Sequence, residues 1–132
     1  MLSGNSETVK LLLFRDPIIN IQDNFGSTAL MDATGNAEIV GLLINAGADV
    51  NLKDIYGNTA LIIAARKGNS EAAELLINAG ADVNLANDKS TTALIIASEF
   101  GNIETVKVLI SSGADVNMHD NSDYTALMRA AD

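Results

Sequence analysis

The pentapeptide Gly-Ala-Asp-Val-Asn occurs three times, at Gly47–Asn51, Gly80–Asn84 and Gly113–Asn117, stepping 33 residues each time. A fixed period of this length means an array of small repeated units, each burying its apolar side against its neighbours, and not one closed core. Two more landmarks keep the register. Gly-Asn recurs at Gly4-Asn5, Gly35-Asn36, Gly68-Asn69 and Gly101-Asn102, each followed two residues later by Glu7, Glu38, Glu71 or Glu104. Thr-Ala-Leu recurs at Thr28, Thr59, Thr92 and Thr125, with spacings of 31, 33 and 33. Stacked units of this kind present extended surfaces suited to binding.

One unit can be read residue by residue. The Thr59 hydroxyl suits an N-cap, since it can accept from a free amide of the first turn. Ala60 to Lys67 then form a short first helix, which Gly68 ends in the left-handed conformation. Asn69 caps a second helix, with Glu71 in its first turn where the helix dipole favours a carboxylate. This helix runs to about Asn78 and stops at Gly80. Polar, turn-rich stretches such as Asp49 to Asn58 join one pair to the next, and Gly26 and Gly57 suit turn positions of positive φ. The second helices repeat an apolar stripe: Val40, Leu43, Ile44; Ala73, Leu76, Ile77; Val106, Leu109, Ile110. Spacing of i, i+3, i+4 makes this one buried face. Neither helix is long enough to persist alone, so stability is shared by stacking.

Composition narrows the function. The 132 residues carry 17 acidic and 8 basic side chains, for a net charge of −9. Non-specific nucleic-acid binding needs clustered cations to displace phosphate counterions, so this balance disfavours it, and an anionic membrane surface with it. The longest apolar run, Ala60 to Ala65, is too short to span a bilayer. Leu11 to Leu13 lack both a basic flank and a long apolar core, so no secretory leader is expected. With 0 cysteines there is neither a disulfide framework nor a thiol nucleophile, which fits a reducing, intracellular setting.

Catalysis needs convergent reactive groups, and the sequence offers few. His119 is the 1 histidine and falls in a connector. One histidine without cysteine makes no usual zinc set. Asp115, Asn117, His119, Asp120 and Asp123 alternate like a calcium loop but lack its central glycine and terminal glutamate. Asp49, Asp82 and Asp115 recur at the repeat period, which is a structural signature and not a carboxylate array. No phosphate-loop spacing occurs. The expectation is a non-enzyme with no cofactor and no metal.

These residues resemble the ankyrin repeat. The family pattern runs roughly Asp-x-x-Gly-x-Thr-Pro-Leu-His-x-Ala-Ala, then Gly-His, a Val-x-x-Leu-Leu helix and Gly-Ala-Asp-x-Asn. Here the stretch Asp54 to Ala65 reads Asp-Ile-Tyr-Gly-Asn-Thr-Ala-Leu-Ile-Ile-Ala-Ala. The resemblance covers nearly the whole chain. It implies an all-α solenoid of stacked antiparallel helix pairs with protruding β-turns, and it implies that the repeated Asp and Asn tie down the turns through backbone hydrogen bonds. The family proline is Ala29, Ala60, Ala93 and Ala126 here, and the family histidine is Met31, Ile62, Ile95 and Met128. The network that histidine makes is therefore expected to be missing, with apolar packing in its place.

Unit boundaries follow from the alignment. Residues 1–22 form a half-unit that is only a second helix, 23–53 a unit two residues short, 54–86 and 87–119 full units, and 120–132 a half-unit that is only a first helix. The short unit should have a truncated first helix around Ala29 to Thr34 and a distorted loop beside it. Apolar residues at the ends, among them Leu11, Leu12, Leu13, Phe14 and Ile18 at one and Leu127 and Met128 at the other, lack their usual cover. Two explanations are open: a piece of a longer array, or complementary half-units that pair between chains in a contact able to propagate.

The resemblance also implies that the ligand is a protein, held by turn tips and the exposed side of the first helices. Carried over by position, the tips are Asn24, Phe25 and Ser27; Ile55, Tyr56 and Asn58; Asp88, Lys89 and Thr91; Asn121, Ser122 and Tyr124. The first-helix ends add Arg66, Lys67, Glu99 and Phe100. The residues chosen as partner-binding are Phe25, Ile55, Tyr56, Asn58, Arg66, Lys67, Lys89, Glu99, Phe100 and Tyr124. Aromatics at tips suit interface anchors, though Phe25 and Tyr56 could equally pack over neighbouring turns, and Arg66 with Lys67 also reads as a solvated edge. The partner's identity is not legible. Alternatives to a binding module are a regulatory or targeting segment of a longer protein and a self-assembling scaffold.

Overall fold

Each Thr-Ala-Leu landmark opens a helix. Thr28, Thr59, Thr92 and Thr125 have extended backbone, and each hydroxyl accepts from the amide three residues on at 3.3 Å. One of the first turn's free donors is satisfied in each case. The computed structural model describes residues 3–132; Met1 and Leu2 of the leading half-unit lie outside it. The helices are α1 (Ser3–Leu13), α2 (Ala29–Asp32) continued by a 3₁₀ turn (Ala33–Gly35), α3 (Ala37–Asn45), α4 (Ala60–Lys67), α5 (Ser70–Asn78), α6 (Ala93–Glu99), α7 (Ile103–Ser111) and α8 (Ala126–Ala131). Among the described residues there is no strand, only isolated antiparallel bridges such as Ala86 with Thr92.

The helices form two rows. Within a pair, α2 packs on α3, α4 on α5 and α6 on α7. Between pairs, first helices stack as α2, α4, α6 and α8, and second helices as α1, α3, α5 and α7. The core lies between the rows, where Leu30, Leu61, Leu76, Leu94 and Leu109 are fully covered beside Ala64, Ala65, Ala72, Ala73 and Ala97. Alanine lets helices approach closely, and leucine fills the space between them. The stripe on the second helices is buried at Val40, Leu43, Ala73, Leu76 and Leu109, and partly buried at Ile44, Ile77 and Val106. Ile110 departs from the expectation: it is exposed, because among the described residues no second helix follows α7 to cover it.

Position by position, the absent histidine network is replaced by apolar burial. Met31, Ile62 and Ile95 are buried, while Met128, in the last helix, is not. In the short unit, the first helix keeps only four α-helical residues and then tightens into the 3₁₀ turn. A 3₁₀ turn advances farther per residue, so the chain reaches Asn36 on time despite the missing residues. Asn36 still caps α3 through Ile39.

Among the asparagines of the Gly-Asn pairs, Asn69 has two tasks. The Asn69 side-chain oxygen caps α5 through the Ala72 amide, while its Nδ2 donates to the Thr34 carbonyl in the preceding first-helix row. Asn102 omits the cap and donates to the Ala65 and Arg66 carbonyls. The Asp-Val-Asn segments form a second ladder. Asp49, Asp82 and Asp115 accept from the amides of Asn51, Asn84 and Asn117. Asn20, Asn51 and Asn84 in turn accept from the amides of Asp49, Asp82 and Asp115 in the next unit. The repeated Asp and Asn thus hold their own turn and join it to the next.

A left-handed residue stands at the tip of each hairpin: Gly26, Gly57, Ser90 and Asp123, with φ of 72, 78, 59 and 64°. Glycine adopts this conformation freely, whereas a side chain costs about 1–2 kcal/mol. At Gly57 a Cβ would also lie 2.8 Å from the Asp88 backbone nitrogen. Gly57→Ala is therefore expected to destabilise the chain by about 2 kcal/mol or more. Ser90→Gly should do the reverse. The relieved strain of about 1–2 kcal/mol exceeds the roughly 0.4–1 kcal/mol lost to a freer unfolded chain, leaving a gain near 0.5 kcal/mol. Urea midpoints of the two variants, moving in opposite directions, check both.

Candidate binding surface

Each tip is built around one acidic or amide side chain. Asp54 Oδ1 accepts from the Tyr56 and Asn58 amides at 2.9 Å each, and the Asp54 amide donates to the Asn58 carbonyl. Asp23, Asn87 and Asp120 close their hairpins in the same way. Neighbouring tips are then joined by backbone. The Ile55 amide donates to the Phe25 carbonyl, Asp88 to Tyr56 and Asn121 to Lys89, each at 3.0 Å. The result is a row of loops with fixed spacing, held by main-chain bonds that are indifferent to the side chains projecting from them.

This geometry sorts the tip residues by position. The first two of each trio, Asn24 and Phe25, Ile55 and Tyr56, Asp88 and Lys89, Asn121 and Ser122, are exposed. The third turns inward: Ser27, Thr91 and Tyr124 are half-buried and Asn58 is buried. Asn58 is engaged as well, its Oδ1 accepting from Asn87 Nδ2 at 2.9 Å. It is a tie between tips. The signal was present in the sequence: a residue four after the hairpin Asp closes the turn and points back across it.

On the first-helix ends, Arg66, Lys67, Glu99 and Phe100 are exposed. Lys67 reaches back to donate to the Thr34 hydroxyl at 2.9 Å. Tyr56, Asn58, Arg66, Asn87, Asp88 and Lys89 line a recess of about 260 Å³ between two tips. Aromatic, cationic and acidic groups therefore meet in one place, which brings Arg66 together with Tyr56 and Lys89. Phe25 and Ile55 continue the row on one side, and Tyr124 lies on the other, at the next tip.

Tyr124 has an internal partner that sequence reasoning missed. The Arg129 guanidinium stacks over its ring, 4.1 Å from the centroid, and donates from Nε and Nη2 to Asp120 Oδ2 at 3.0 and 2.7 Å. Asp120 is nearly covered. Burial pushes its pKa up, but the hydrogen bond from Arg129, those from the Tyr124 and Ser122 amides and the Arg129 charge together prevail and hold it below the ordinary 3.8. Arg129 is correspondingly held above its ordinary value, chiefly by that hydrogen bond. His119 is exposed, with Nδ1 3.7 Å from Asp123. Among the described residues no group of three potential metal ligands converges, and no helix is long and apolar enough to cross a membrane.

Antiparallel helix pairs, stacked hairpin tips and landmarks in one register lead to a comparison with known families. The family described as ankyrin repeats (3 copies) matches residues 1–87 and 80–132. The chain belongs to the ankyrin-repeat family. No curated protein matches it. Ankyrin repeats are generally protein–protein interaction modules and are typically non-catalytic, which agrees with the expectation of a binding function drawn from the sequence.

The cluster at the last ankyrin hairpin makes a pH prediction. Because the Asp120 pKa is lowered on folding, its contribution to stability is complete above about pH 4 and fades as pH falls through the folded value. In a carboxyl-detected NMR titration Asp120 should titrate below 3.8. Arg129→Ala should move that titration upward, since burial then faces only the backbone amides.

Proposed function

We propose that this chain binds a partner protein through the row of hairpin tips and the adjoining ends of the first helices. The observation that carries the reading is the exposure of Phe25, Ile55 and Tyr56 on consecutive tips whose backbones are bonded to one another. Large apolar groups on flexible loops would lose binding energy to ordering. Here the loops are already fixed, so that entropic cost is largely met before a partner arrives. Phe100 at the end of α6 adds a further apolar contact, and Arg66, Lys89 and Glu99 supply polar surroundings that exclude water and set register. Lys67 and Tyr124, each engaged within the chain, contribute at the rim.

The partner this surface suits is a protein segment with apolar side chains to lay across Phe25, Ile55 and Tyr56, and a charged or amide group for the recess beside Arg66 and Lys89. Nothing in the reading requires chemistry on this chain, and the acidic balance continues to disfavour nucleic acid and anionic membrane.

Peptides selected from a random display library against the immobilised chain provide the test. Tyr56→Ala and Phe25→Ala should each weaken the selected binders by about tenfold or more, a loss of at least about 1.4 kcal/mol. Their far-UV circular dichroism should be unchanged, since both side chains are exposed. Glu74→Ala, on the exposed side of α5, should leave affinity within about twofold. Binders that respond to Glu74 and ignore Tyr56 would move the surface to the second helices and end this assignment.

A further inference from the structure

The same repeat position can be compared in the middle of the chain and at its ends. Leu43, Leu76 and Leu109 are 5, 0 and 0 % exposed, but Leu12, their counterpart in α1, is 62 % exposed. Leu30, Leu61 and Leu94 are 2, 1 and 2 % exposed, whereas Leu127 in α8 is 79 % exposed. Each end of the array presents a core residue that no helix among the described residues covers. Beside α1 an apolar groove of about 420 Å³ is lined by Val9, Leu12, Leu13, Ile18, Ala29 and Leu43. Beside α7 and α8 a second, of about 410 Å³, is lined by Leu94, Val106, Ile110, Val116 and Leu127.

These two faces are not alike. The α1 groove lies where a first helix would pack, and the α7–α8 groove lies where a second helix would pack. The chain's own α8 is a first helix and its own α1 a second helix. We propose that copies of this chain associate head to tail, α8 of one copy filling the groove beside α1 of the next while that α1 fills the groove beside α7 and α8. Leu127 then stands to the next copy's Leu12 as Leu94 stands to Leu109.

The joint continues an interface that already exists three times in the chain. It repeats the packing of α6 on α7, and it repeats the stacking of α5 on α7 as α7 on the next copy's α1. Its polar groups are also in register. Asn5 holds the position of Asn69 and Asn102, whose Nδ2 atoms donate to carbonyls of the preceding first-helix row. In the joint the same offset takes it to the carbonyls of Ser98 and Glu99 at the end of α6, one repeat on from Ala65 and Arg66. Asn117 holds the position of Asn51 and Asn84, whose Oδ1 atoms accept from the next unit's backbone. The register makes the Ile18 amide of the next copy its donor. Such a contact joins unlike faces, so it adds copy after copy unless the rotation closes a ring.

The test uses the full chain in analytical ultracentrifugation, from about 1 µM to about 1 mM. Weight-average mass should climb in steps of 13.8 kDa. Leu12→Asp damages only the α1 face and Leu127→Asp only the α8 face, so each variant alone should be monomeric, with self-association weakened at least about tenfold. Mixed in equal amounts, the two retain one sound joint between them and should form a dimer that grows no further. Leu12→Ser with Leu127→Ser gives the same readout if either aspartate lowers the helical signal. A wild-type mass of 13.8 kDa at every concentration overturns the proposal and leaves the faces to flanking units of a longer polypeptide. Dimers of Leu12→Asp alone, or of Leu127→Asp alone, overturn it equally, because they require like faces to meet.

Discussion

No helix of the described chain exceeds 11 residues, and several have fewer than 9. In water such segments are mostly unfolded, since the cost of nucleation outweighs the few bonds a short helix can add. The apolar contact each has with its neighbours in the two rows is what makes them helices here. Leucines from facing rows fill the space that alanines leave between closely spaced backbones. Every other feature depends on that burial: the threonine and asparagine caps have a helix to end, the hairpins have a fixed place to protrude, and the tips reach hydrogen-bonding distance of one another.

Much of this was legible in the sequence because repetition turns single residues into positions. One Thr before an apolar run is a weak signal, but Thr28, Thr59, Thr92 and Thr125 at a common register all prove to be caps. The truncated first helix of the short unit was legible too, from a deletion of two residues. Its continuation as a 3₁₀ turn was less so, because it depends on where Asn36 must arrive to cap α3. Ile110 escaped the pattern for a related reason. Periodicity assigns it to a buried face, yet burial also requires a neighbouring helix to cover that face, and among the described residues no second helix stacks beyond α7.

The candidate surface was legible in outline and not in detail. Alternation along a hairpin of five residues is governed by which amides the leading Asp or Asn captures, so neighbouring tip residues can have opposite fates. Tyr56 projects outward while Asn58, two residues on, is buried and bonded to Asn87. Tyr124 shares the inward position of Asn58, and its ring is stacked beneath Arg129. That pairing could not be read from spacing, because the distance from Tyr124 to Arg129 crosses from hairpin to helix and fits neither a helical nor a strand period.

The ladders that join one unit to the next carry a kinetic consequence. Side-chain hydrogen bonds between units link residues 29 to 37 apart in sequence. These bonds close loops of about one unit and of nearly equal length. Closing each therefore has a similar entropic cost, whichever pair forms first. Contacts this local favour rapid folding. The nucleus should then be chosen by packing quality and not by position in the chain. That points to α4, α5 and α6, where Leu61, Ile62, Leu76, Leu94 and Ile95 are all fully buried, with order spreading outward to the ends as a front.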